Sequence, residues 1–132
     1  MKKLTEDWLL LAEQDLQAAE IILKDDYSLT NIVAFHCQQA IEKYLKAFLI
    51  EKGVLLMKTH DLIKLYGMIK EVNNLVFDEK KLIVINEIYM DSRYPGELGL
   101  MPDGKPTYEQ TKEFLEYVKE IKTIIYSELK KG

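Results

Sequence analysis

The sequence is poor in the residues from which the commoner catalytic and metal centres are built. One cysteine, Cys37, in 132 residues excludes an internal disulfide and any cysteine-cluster metal site. It lies at the margin of an apolar helical face, where a thiol reads as a plain buried group. Two histidines, His36 and His60, are too few for a His-rich metal centre, and neither belongs to an HExxH pair. The six glycines are scattered, and none falls in a GxxxxGK phosphate loop or a Gly-x-Ser-x-Gly nucleophile elbow. Arg93 is the single arginine among 18 basic residues, and lysine does not reproduce its planar fork. A formal charge of −4 argues against gripping nucleic acid through bulk positive potential. No apolar run approaches the roughly 20 residues needed to span a bilayer. The opening MKKLTEDWLLLAEQD turns acidic before it reaches signal-peptide length. The expectation is a cytoplasmic protein with no membrane association.

What is present is a globular composition, with 48% hydrophobic and 30% charged residues, in a chain that fits one domain spanning 1–132. The stretch Asn31 to Glu51, NIVAFHCQQAIEKYLKAFLIE, has no Gly or Pro and predicts one long amphipathic helix. Ala34, Gln38, Ile41, Leu45 and Phe48 share its core face. His36, Gln39, Lys43 and Lys46 occupy the opposite side, next to Ala40 and Ala47. Gly53 suits the helix end.

Before this stretch, Trp8, Ala12, Leu16, Ala19 and Leu23 recur at helical spacing from a Thr5 cap to about Asp25-Asp26. After it comes an apolar loop, Val54 to Met57, and then a short helix with Leu62, Leu65, Tyr66 and Ile69 on one stripe. Thr59 is placed to cap that helix. Asp78 caps a fourth helix from Glu79 to about Ser92, apolar over so wide an arc (Leu82, Ile83, Val84, Ile85, Ile88, Tyr89) that it reads as the most enclosed. Tyr94-Pro95-Gly96 ends it. A long loop follows to Pro106, and Thr107 with Gln110 forms a capping box for a last helix. That helix turns Phe114, Leu115, Val118, Ile121 and Ile125 inward. Four long helices and one short one, short connections and no sheet give an all-α, antiparallel up-and-down bundle.

Two constellations have chemical potential. His36, Gln39, Lys43 and Lys46 read either as a solvated exterior or as a hydrogen-bonding surface for an anion or a second chain. Gln38, on the core face, must satisfy both ends of its amide and so ties helices together. Arg93 ends a largely apolar helix beside Tyr94, with Asn86 on the same edge. It either forks onto a phosphate or carboxylate or closes an ion pair with a neighbouring helix. His60, beside a helix start, reads as a hydrogen-bonder of that helix end.

The run Ala34-Phe35-His36-Cys37-Gln38-Gln39-Ala40-Ile41-Glu42-Lys43-Tyr44-Leu45-Lys46-Ala47 resembles a signature helix of the HEPN domain family. Thr59-His60-Asp61-Leu62 and Ser92-Arg93-Tyr94-Pro95 match two further segments of that family in the same order, and Ala12, Asp15, Leu16 and Ala18 fit its opening helix. The resemblance implies a helical bundle that pairs into a homodimer. It also implies a role around nucleotides or RNA, often beside a minimal nucleotidyltransferase in toxin–antitoxin or stress modules. Active members of the family are metal-independent ribonucleases that use an Arg followed four to six residues later by a His. Here Tyr94, Pro95, Gly96, Glu97, Leu98, Gly99 and Leu100 follow Arg93, and no His occurs downstream. The general acid/base is therefore missing from its expected place. The resulting expectation is a non-catalytic nucleotide- or RNA-associated module with no cofactor or metal, whose ligand contacts are Arg93, Tyr94, His36, Gln39, Lys43 and Lys46. The alternative is an endoribonuclease in which His36 or His60 acts as a displaced base.

Overall fold

The computed structural model describes residues 1–93 and 105–131, without the side chains of residues 90–93. Among the described residues there are five α-helices and no strand: α1 (Lys3–Asp25), α2 (Thr30–Glu51), α3 (Leu62–Val72), α4 (Glu79–Arg93) and α5 (Tyr108–Lys130). They form the expected bundle. The start of α1 meets the end of α2, where the Lys2 amide and the Thr5 hydroxyl both donate to Glu51 Oε1 at 3.0 and 2.9 Å. Those two helices therefore run antiparallel. Glu13 reaches Lys122 and Tyr126, and Glu20 faces Lys119, so α5 also opposes α1. Tyr89 near the end of α4 stacks on Phe35 near the start of α2, which sets α4 antiparallel to α2.

Helix α2 is the axis, because it packs against each of the other four. Val33, Ala34, Cys37, Ala40, Ile41, Tyr44, Leu45, Ala47, Phe48 and Leu49 are fully buried over one broad side of it, while Ile32, His36, Gln39 and Lys43 on the other side keep partial exposure. This corrects the expectation that α4 is the most enclosed helix. Ile83 and Val84 of α4 stand at 40% and 44% exposure, and its buried face is limited to Leu82, Ile85, Ile88 and Tyr89 among its described side chains. The β-branched run that suggested enclosure simply turns half its members outward. Cys37 is buried, and desolvation pushes its thiol well above the ordinary range.

Side chains cap three of the five helix starts, and two of the expected caps are not the ones used. Helix α1 begins after Lys2 without a side-chain cap, and Thr5, one turn inside, is buried. Asp61 rather than Thr59 caps α3, accepting from the Ile63 and Lys64 amides. Thr59 accepts instead from the Asp61 amide. Asp78 accepts from the Lys81 amide, and Thr107 and Gln110 form the reciprocal capping box. Gly53 closes α2 at φ 77°, where a side chain would be strained. The Tyr66 hydroxyl accepts from the Phe77 amide and donates to the Leu75 carbonyl, pinning the α3–α4 connection to the core.

If α2 is the axis, truncation there is costly and truncation on the outer face of α4 is not. Ile41→Ala is expected to lower the unfolding free energy by about 2–5 kcal/mol. Val84→Ala should stay within about 0.5 kcal/mol of the parent. Chemical denaturation of the two variants compares them directly.

Candidate functional site

Helix α1 lies along the side of α2 that carries His36, Gln39, Lys43 and Lys46, and this is the most extensive helix pair in the bundle. Ala12 and Ala19 on α1 and Ala40 and Ala47 on α2 are all fully buried, and such small side chains let two helices approach closely. The polar side chains between them consequently face protein rather than open water. Asp15, itself buried on the apolar stripe of α1, takes two of them. The His36 Nδ1–H donates to Asp15 Oδ1 at 2.9 Å, and the Lys43 ammonium donates to Asp15 Oδ2.

A second network begins two residues further along α2 than His36, at Gln38. The Gln39 amide donates to Gln38 Oε1 at 2.8 Å, and Gln38 Nε2 donates to the His60 carbonyl at 2.8 Å. Gln38 therefore ties α2 to the segment that enters α3. Glu42, buried, receives the rest: Lys46 Nζ at 2.9 Å on one oxygen and His60 Nδ1 at 2.9 Å on the other. The Lys46 ammonium also lies 5.4 Å from the centre of the Trp8 ring. Lys46 is only 7% exposed, so its expected place on an open face is corrected by α1 covering it. His60 pairs with Glu42 rather than with a helix end. Asn86 serves the helix end instead, since its Oδ1 accepts from the Leu62 amide and its Nδ2 donates to Asp61.

The six residues expected to contact a ligand thus fall into three groups. His36 and Lys43 share Asp15, while Gln39 and Lys46 belong to the Gln38–Glu42–His60 network. The side chain of Arg93 and the whole of Tyr94 lie outside the described residues. One contact bears on their surroundings. The Phe35 ring meets His36 edge-on at 5.2 Å and stacks on Tyr89 at 5.9 Å, and Tyr89 precedes Arg93 by one turn of α4. The His36 end of α2 and the last turn of α4 are therefore neighbours.

Charge decides what such a site does. Asp15 offsets Lys43 and Glu42 offsets Lys46, so these four groups sum to no net attraction for a phosphate. Each imidazole, however, is held by Nδ1 against a carboxylate, which fixes the tautomer and leaves Nε2 as the basic nitrogen. His36 has 25% and His60 62% of its side chain exposed. Among the described residues, no group of three or more His, Cys, Asp and Glu side chains could hold a metal ion.

The HEPN domain model matches residues 5–129, nearly the whole chain. The chain belongs to the HEPN family. Two solved structures share its fold end to end. The crystal structure of TT1696 from Thermus thermophilus superposes with a TM-score of 0.80 at 22% identity, covering 96% of this chain and 98% of that one. The structure of ST0689, an archaeal HEPN homologue, superposes at 0.73 with 25% identity, covering 97% and 98%. No curated protein matches the sequence.

In this HEPN chain the sequence reading missed the carboxylates. Asp15 was detectable, because a charged residue three positions after Ala12 and four before Ala19 sits on a stripe that must be buried. Glu42 was half detectable as the i, i+4 partner of Lys46. Glu13 gave no signal, yet its carboxylate accepts from the hydroxyls of Tyr44 and Tyr126 at 2.8 and 3.0 Å and from Lys122 at 2.9 Å. Desolvation pushes that carboxyl up, but the three donors together outweigh it and hold it below its ordinary 4.5.

Removing either carboxylate should be visible in stability. Asp15→Ala strands His36 and Lys43 without their shared acceptor, and should cost about 3 kcal/mol by thermal or chemical unfolding. Glu13 is favoured in its ionised form by folding, so its contribution is present above about pH 4.5 and lost as pH falls. The stability difference between the parent and Glu13→Gln should accordingly narrow on acidification below that pH.

Proposed function

We propose that this protein is a HEPN-like module that associates with a nucleotide or RNA without cleaving it. In this reading it works as a homodimer and as the partner of a minimal nucleotidyltransferase in a toxin–antitoxin or stress system. The observation that carries the reading is the run of rings His36, Phe35 and Tyr89, which sets an oriented imidazole beside the helix end that bears the chain's only guanidinium. Arg93 would fork onto a phosphate and Tyr94 would stack on a base, with His36 and Gln39 donating at the edge. Lys43 and Lys46 would act chiefly through the carboxylates they neutralise, adding charge to the ligand only when those pairs loosen. Membership of the HEPN family supports the nucleotide or RNA association, and the missing His after Arg93 supports binding over cleavage.

A second reading, an endoribonuclease with a displaced base, is favoured by His60. Its Nδ1 is anchored on buried Glu42 and most of its ring is open to solvent, which is how a general base is held.

Calorimetric titration with nucleoside triphosphates should show binding by the parent and at least about tenfold weaker binding by Arg93→Ala, or some 1.4 kcal/mol. No heat from either protein removes the proposal. RNA incubated with the protein in a chelator should remain intact. Cleavage that vanishes in His60→Ala would put the second reading first. Light scattering should give twice the 15.4 kDa chain mass, and a mass of one chain contradicts the homodimer.

A further inference from the structure

Helices α4 and α5 barely touch, and a slot rather than a packed seam separates them. Each helix supplies one wall with the same spacing: Lys80, Lys81 and Val84 from the start of α4, and Glu113, Phe114 and Tyr117 from α5. The slot holds about 170 Å³. Phe114 and Tyr117 are buried and make its floor, while Val84, 44% exposed, forms a lip. The Tyr117 hydroxyl donates to the Asp78 carbonyl at 2.7 Å, which pins α5 to the residue ahead of α4 and leaves the phenol no hydrogen to offer elsewhere. What the floor presents is therefore apolar.

The charges at the slot are sorted by wall. The α4 side carries two ammonium groups and the α5 side one carboxylate. Among the described residues, Lys80, Lys81 and Glu113 close no ion pair, although opposite signs line the same slot. The Lys81 ammonium lies 5.8 Å from the centre of the Tyr117 ring. Nearby acids have partners of their own: Glu79 pairs with Lys70 at 3.7 Å, and Glu116 with Lys119 at 3.7 Å. Cations and an anion that share an apolar gap without meeting suit a small body that carries both signs and an apolar part.

We infer that this slot binds a free α-amino acid with an apolar side chain. Its carboxylate would lie against Lys80 and Lys81, its ammonium against Glu113, and its side chain on Val84, Phe114 and Tyr117. Size selects this class over a nucleotide, because about 170 Å³ falls below the roughly 300–1,000 Å³ of sites for drug-sized ligands. Charge selects it over simpler ions. An amine alone meets two lysines on one wall, and a carboxylate alone meets Glu113 on the other. The middle of a peptide chain brings neither charged terminus and leaves both walls unmatched. The inference uses neither Arg93 nor a histidine, so it stands or falls separately from nucleotide or RNA binding.

The test is a chemical-shift titration of the isotope-labelled protein, which reads weak binding directly. Leucine should move the amides of residues 80–84 and 113–117 saturably. Isocaproate, which lacks the ammonium, and isoamylamine, which lacks the carboxylate, should each bind at least about threefold more weakly, the scale of one exposed ion pair. Glycine, which lacks the side chain, should lose at least about tenfold. Glu113→Gln should weaken leucine by about threefold and leave isocaproate no weaker than in the parent. Val84→Trp, at an exposed position, should fill the slot and abolish leucine binding. No saturable shift with leucine overturns the inference, and so does leucine binding that Val84→Trp leaves unchanged. Isocaproate or isoamylamine binding as tightly as leucine would assign the slot to a simple acid or amine and overturn it as well.

Discussion

Helix α2 packs against all four of the other helices, so most of its surface has little solvent to fall back on. Any polar group it carries must be matched by a group from an adjoining element, or folding loses the free energy of stripping that group of water. The chain meets this constraint with two carboxylates. Asp15 arrives from α1 to take His36 and Lys43, and Glu42, on α2 itself, takes Lys46 and His60. Each has ionic or hydrogen-bonding partners on both oxygens. The packing of α1 on α2, the direction of the segment entering α3 and the orientation of both imidazoles all follow from these acceptors.

The same constraint explains how far the sequence could be read. Helix existence and type were legible from apolar spacing alone. The stripes Leu62–Leu65–Tyr66–Ile69 and Phe114–Val118–Ile121–Ile125 are buried as their periodicity requires. The capping box at Thr107 and the glycine stop at Gly53 were legible because their chemistry is local. The solvent side of α2 was not, because periodicity says which residues share a face and not what covers it. A face of His, Gln and Lys looks the same whether it meets water or a helix bearing one well-placed Asp. The α4 misreading has the mirror cause. Ile83 and Val84 extend an apolar arc in sequence, but the bundle supplies a neighbour for only part of it.

For function, charge balance matters more than the inventory of polar residues. Four cationic or imidazole groups on and beside α2 suggest an anion site until the carboxylates are placed, and then the local sum is close to neutral. What remains distinctive is orientation: two imidazoles, each fixed by one nitrogen, both on the side of the bundle where α4 ends or where Asn86 meets the start of α3. No His follows Arg93 in the sequence, and the two oriented histidines stand elsewhere, on α2 and just ahead of α3.

Glu13 gathers three helices onto one carboxylate, with Tyr44 from α2 and both Tyr126 and Lys122 from α5 converging on α1. Tyr44 is fully buried and Tyr126 partly so, and moving either away from the junction leaves a phenol unmatched, which couples the three helices. Helices α3 and α4 have no member in that junction. A local opening of α3 and α4 would leave the junction intact, so their amides are expected to exchange ahead of those of α1, α2 and α5.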